Sequence, residues 1–142
     1  MNCRIPDLTG EPARLVAIGL AAARALIGVG ALVRPGLPAA AWVGRKDASR
    51  PAVQLFARTL GGRDLALGLG ALLALRKGAP ARGWIEAGAL ADVGDTAATL
   101  LAFSALPRRG RFGILASTAS AALLGAWSAR RLDEGRATAP ID

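Results

Sequence analysis

Ala13–Val33 reads ARLVAIGLAAARALIGVGALV, 21 residues in which only Arg14 and Arg24 are polar. As a helix this stretch is about 32 Å long at 1.5 Å per residue, close to the thickness of a bilayer's hydrocarbon core. A secretory signal is the competing reading, with Arg4 and Arg14 as its basic region. An arginine in the middle of the apolar run and the lack of a clean A-x-A cleavage site argue against it. Pro35 and Pro38 end the helix, and Ala39–Gly44 with Trp42 reads as an interfacial first loop, where an indole is comfortable.

Three further stretches repeat the pattern. Pro51–Arg76 opens on a proline suited to a first helical turn and is closed by Gly78-Ala79-Pro80. Gly83–Leu106 is stopped by Pro107, and residues 112–130 run from the basic Arg108–Arg111 segment to Arg130-Arg131. No stretch alternates like a strand, and no internal repeat stands out. The expected fold is therefore all-α, a four-helix transmembrane bundle over residues 13–131. Residues 1–12 read as a polar N-terminal tail and 132–142 as a disordered C-terminal tail. Short connections make neighbours antiparallel, up-down-up-down, with both termini on one side. That side carries Arg4, Arg14, Arg76, Lys77, Arg82, Arg130, Arg131 and Arg136, against Arg34, Arg45, Lys46, Arg50, Arg108, Arg109 and Arg111 opposite. Eight to seven favours cytoplasmic termini.

Composition narrows the chemistry. Of 142 residues 53% are hydrophobic and 20% charged, and the mean hydropathy is +0.39. With no His and one Cys, His-bearing triads, His/Cys zinc sites and internal disulfides are excluded. Cys3 has no apolar region before it, so it is not a lipoprotein cysteine. Nothing supplies a nucleophile beside a base, so no enzyme, cofactor or metal is expected. The net charge of +8 comes from basic residues grouped between apolar stretches, with only 4% aromatics and no Tyr. That pattern fits a lipid bilayer as partner and excludes nucleic acid, which needs a basic face with stacking aromatics. A soluble Ala-rich helical protein is the remaining alternative, distinguished by extraction without detergent.

Aligning the four stretches at their midpoints brings polar residues to one depth: Arg24; Arg63 and Asp64; Asp92 and Asp95; and Ser117, Thr118 and Ser120. Ionised groups at such a depth cost about 2.5–3.5 kcal/mol each on insertion scales, so they must face inward and pair. Asp92, Asp95, Thr96 and Thr99 share one helix face. Arg58, about 7 Å along the axis from Arg63, belongs on the same side of the midplane as Thr99. Glu86 is placed to pair with Arg82 one turn earlier. Two readings of the midplane compete. One is a structural ion-pair network that fixes helix register. The other is a site for a proton, cation or polar headgroup on Asp92 and Asp95, which could share a proton. Helix packing is assigned to the small-residue stripe Gly62, Ala66, Gly70 and Ala74. Such faces would also suit a partner membrane protein or a second copy.

The stretch Leu60–Gly70, LGGRDLALGLG, followed by a helix carrying ADVGDT (Ala91–Thr96), resembles a family of short four-helix bacterial membrane proteins of unknown function. Their second helix carries a G-x-R-D-x-x-L-G signature, matched here by Gly61 (Gly62 with a one-residue slip), Arg63, Asp64, Leu67 and Gly68. The resemblance implies the same architecture and a multi-pass protein of the bacterial inner membrane. It supplies no activity.

Overall fold

The computed structural model describes residues 11–137 and the side chains of residues 12–132. Apart from Glu11 and Pro12, the expected N-terminal tail lies outside that range. The fold is all-helical, with six helices and no strand among the described residues: α1 Glu11–Val33, α2 Gly36–Val43, α3 Arg45–Ala48, α4 Pro51–Arg76, α5 Arg82–Leu101 and α6 Arg108–Ala137. The expected first loop is therefore two short helices. α1 packs most extensively on α4, and α5 on α6; α1 with α6 and α4 with α5 close the square.

Helix ends follow local chemistry. At the end of α4, Gly78 takes φ +66°, while Ala79 N–H donates to Ala74 O at 2.9 Å and Gly78 N–H to Leu75 O at 3.4 Å. This is a Schellman closure, which needs a residue tolerant of left-handed backbone. α5 stops at Leu101, five residues before the expected Leu106. Its last turn tightens through Phe103 N–H→Leu100 O (3.2 Å), and Ala105 N–H→Ala102 O (2.9 Å) follows. There the Arg111 guanidinium stacks on the rings of Phe103 (4.3 Å) and Phe112 (5.4 Å) and donates to Phe103 O at 3.0 Å. Pro107, expected only as a stop, also starts α6 by accepting from Arg111 N–H at 2.9 Å. α6 begins at Arg108 and continues through Ala137. The expected disordered tail therefore starts inside a helix, and only residues 138–142 lie beyond the described range.

Direction follows from which residues meet. A Cβ on Gly28 would lie 2.5 Å from Leu65 N, and one on Gly68 2.6 Å from Ala21 O. Arg14 donates to Leu75 O at 3.1 Å. Numbers rising along α1 while falling along α4 make the pair antiparallel. Gly125 against Ala89 and Thr96 against Thr118 make α5 and α6 antiparallel as well.

The α1-facing side of α4 is not the expected stripe. Gly61, Gly68, Ala71 and Leu75 are buried, whereas a Cβ on Gly62 would meet nothing within 4 Å and Ala66 is exposed. Gly70 receives the Trp84 ring instead, and only Ala74 is buried as expected. Successive helical residues turn about 100°, so a strict four-residue repeat drifts about 40° per step and leaves the interface. Alternating steps of three and four, as from Gly61 through Asp64 and Gly68 to Ala71 and Leu75, stay on it.

The radial distribution is inverted relative to a water-soluble protein. Among the described residues twelve of the fourteen buried apolar side chains are alanines, joined by Leu75 and Ile85; the buried polar ones are Asp92, Thr99 and Ser128. The bulky side chains point outward from every long helix: Leu26 on α1, Phe56 on α4, Leu90 on α5 and Leu123 on α6 are each at least 67% exposed. Among the described residues two helices, Pro12–Val33 and Arg108–Leu132, are long and apolar enough to cross a membrane.

Candidate functional site: the midplane Arg/Asp network

Five charged groups from three helices alternate in sign along one chain of contacts. Arg24 of α1 donates from Nη1 to Asp64 Oδ1 of α4 at 3.0 Å and from Nη2 to Asp92 Oδ2 of α5 at 2.5 Å. The same Nη2 reaches Gly88 O at 3.0 Å. Arg63 donates to Asp64 Oδ1 from Nε (3.1 Å) and Nη2 (3.0 Å). It also grips both carboxylate oxygens of Asp95, at 3.2 and 2.8 Å. The order is Asp92–Arg24–Asp64–Arg63–Asp95, and the chain closes through the backbone of α5, which carries both end carboxylates.

Each helix contributes by simple means. Asp64 lies on the face of α4 that meets α1, between Gly61 and Gly68. Those glycines let the backbones approach so closely that a Cβ on Gly61 would lie 2.9 Å from Gly28 O. Arg24 then reaches across to α5 because Gly88 lacks a side chain: a Cβ there would sit 3.3 Å from Arg24 Nε. Glycine four residues before an aspartate thus presents a backbone carbonyl and a carboxylate to one guanidinium. The side chains of Arg24, Asp64, Asp92 and Asp95 are only 10–15% exposed, and that of Arg63 is 31% exposed.

Hydroxyls extend the polar layer. Thr96 and Thr118 share a hydrogen bond of 2.7 Å, tying α5 to α6, and Thr96 also donates to Asp92 O. Thr99 donates to Asp95 O at 2.7 Å and accepts the Trp42 indole N–H at 3.1 Å, which draws α2 over one end of the bundle. The structure brings Arg24, Arg63, Asp64, Asp92, Asp95, Thr96 and Thr99 together as one connected group. Arg58 does not belong to it; its side chain is exposed on α4. Asp92 and Asp95 are not bridged to each other, since each is held by a different arginine. The Arg82–Glu86 pair forms at 2.7 Å on the surface.

Gly88 O and the Trp42–Thr99 bond were missed. Gly88 stood four residues before Asp92, but small residues are so common here that the spacing carried little information. The return of α2 onto the bundle left no trace in the sequence.

A cavity of about 20 Å³ borders Arg24, Gly88 and Asp92, room for about one water. Among the described residues no group of three or more acidic, Cys or His side chains is arranged to hold a metal. The three carboxylates here are separated by guanidiniums, which leaves the network with three negative and two positive groups. No protein-family model, curated protein or solved structure matches the chain.

Proposed function

We propose that this is a four-pass integral membrane protein with a structural or accessory role, in which the Arg/Asp network fixes the helices in register. The inverted distribution of side chains carries this reading. Water drives Leu, Ile and Phe inward, so large exposed apolar surface is the informative departure; lipid accepts that surface, leaving small residues at helix contacts and polar groups between helices. A soluble monomer with bulky apolar side chains exposed on every long helix would aggregate.

Three details support it. α4 and α5 fall short of spanning apolarity through their charges, and half of those charges, the four nearest the helix centres (Arg63, Asp64, Asp92 and Asp95), are paired inside the bundle. Of the six aromatic residues, Phe56, Trp84, Phe112 and Trp127 stand on the long helices and are displaced along them from the five charged groups. They lie about 9–14 Å from the level of the network along the axis, as in the interfacial belts of membrane proteins. α1 is also too deeply committed for a cleaved signal, since it packs along α4 and supplies the central cation. The corresponding localisation is a bacterial inner membrane with cytoplasmic termini, and the partner is the bilayer, joined by another membrane protein or a second copy. No catalysis is proposed.

The test is fractionation. The expressed chain should stay in the membrane pellet through alkaline carbonate washing and be released by dodecyl maltoside. Recovery in the aqueous fraction after gentle lysis refutes the reading.

A second reading rests on the charge count: with one carboxylate in excess and a water-sized cavity beside Arg24 and Asp92, the network would hold a proton or a cation. Proteoliposomes decide between the two. Asp92→Asn should abolish a proton or cation flux if the network conducts. If it is structural, the flux of the unaltered protein is already at background.

A further inference from the structure

The end of the molecule where α4 turns into α5 has a second, larger cleft. It measures about 240 Å³ and lies between Arg14 of α1, Leu75 of α4, the Gly78–Ala81 turn, Arg82 of α5 and Leu132 of α6. We propose that it binds the phosphate headgroup of an anionic lipid. The proposal rests on the membrane reading above and adds a specific ligand site to it.

The wall chemistry selects an anion. Arg14 and Arg82 stand in the first turns of their helices, at the positive end of each macrodipole, where a cation is disfavoured by about 0.3–1 kcal/mol. Arg14 commits one N–H to Leu75 O, which leaves the rest of its guanidinium fork. Arg82 pairs with Glu86 one turn along its own helix. Arg76, Lys77, Arg130 and Arg131 are within two residues of the lining Leu75, Gly78 and Leu132 in the sequence, as are Asp133 and Glu134. The N-cap position of α5, Ala81, supplies no side-chain cap, so the first N–H groups of that helix have no such acceptor. Guanidiniums prefer phosphate oxygens, which they can grip bidentately.

Shape and position select a lipid over a free ion. Leu75, Pro80 and Leu132 give the cleft an apolar side suited to a glycerol backbone and the start of an acyl chain. The volume is below the roughly 300–1,000 Å³ typical of sites for drug-sized ligands. The cleft lies at the end of helices whose midplane is fixed by the network, which is headgroup depth. Basic pockets between helices at that depth are a recurrent form of anionic-lipid site.

The experiment is a thermal-unfolding titration of the purified protein in neutral detergent with phosphatidylglycerol, cardiolipin, phosphatidylcholine or inorganic phosphate. The anionic lipids should raise the midpoint saturably, while phosphatidylcholine and equimolar phosphate leave it unchanged. The double variant Arg14→Gln/Arg82→Gln should need at least fivefold more anionic lipid for half the effect. Arg108→Gln/Arg109→Gln, which removes equal charge at the other end, should stay within twofold of the unaltered protein. Ala79→Phe keeps every charge and fills the cleft, so it should reproduce the loss if the arginine variant fails to fold. Equal weakening by both arginine pairs, no effect of Ala79→Phe, or an equal response to phosphate or phosphatidylcholine would overturn the site. None of those outcomes bears on membrane insertion, which carbonate extraction tests separately.

Discussion

Replacing Arg24 with Met probes the network at its centre. The substitution keeps an unbranched side chain and deletes a guanidinium that donates to Asp64 (3.0 Å), Asp92 (2.5 Å) and Gly88 O (3.0 Å). Taken singly, hydrogen bonds to charged groups are worth about 1.5–3 kcal/mol each, but they do not add here. Asp64 keeps two N–H donors from Arg63, whereas Asp92 loses its only cation while just 10% of its side chain is exposed. Breaking a buried pair on one side costs about 3–5 kcal/mol, and that is the expected loss. Arg63→Met should cost less, because the Arg63 side chain is 31% exposed and its pairs are more screened. Adding Asp92→Leu to Arg24→Met removes the stranded carboxylate and should recover at least about 2 kcal/mol, as coupled residues do. The assay is an SDS titration of the protein in dodecyl maltoside micelles, followed by far-ultraviolet circular dichroism. An Arg24→Met variant within about 1 kcal/mol of the unaltered protein, or a double variant whose losses simply add, would refute the account of the network.

Three further substitutions test the packing. Gly68→Ala sets a Cβ 2.6 Å from Ala21 O, backbone that cannot step aside, and should cost about 1–3 kcal/mol in the same titration. Gly62→Ala, facing open space, should be neutral or stabilising by up to about 1 kcal/mol through helix propensity. Trp42→Phe deletes the N–H that reaches Thr99 and should cost about 1 kcal/mol. It should also make amide hydrogen exchange across α2 faster than in the unaltered protein, and unchanged exchange there would show that the bond does not hold α2 in place.

What was legible in the sequence was whatever depended on one-dimensional spacing. The long helices could be delimited because prolines and glycines punctuate them, and the midplane residues could be assembled because each sits near the middle of its own segment. Asp64, placed by its position at the middle of Pro51–Arg76, falls where α4 meets α1. What was not legible depended on rotation about the helix axis and on tertiary return. The choice between Gly61 and Gly62 is a 100° turn that composition cannot decide when both neighbours are small. Arg58 shares a segment with Arg63 but not its direction. The end of α5 was set by Arg111, a residue of the next helix stacked on Phe103, and not by Pro107 alone.

The position of Arg24 in the first long helix has a consequence for biosynthesis. In a membrane, α1 would be made and inserted before α4 and α5, with its guanidinium at mid-depth and neither carboxylate partner yet made. Asp64 lies 40 residues further along and Asp92 lies 68. At about 5–20 residues per second the arginine would wait roughly 2–8 seconds for the first carboxylate and 3–14 for the second. α4 and α5, too charged to be released into lipid alone, would in turn need α1 already beside them. The nascent helices would therefore leave the insertion machinery as a group, and the cation that anchors the finished bundle would act earlier as the bait that retains its neighbours.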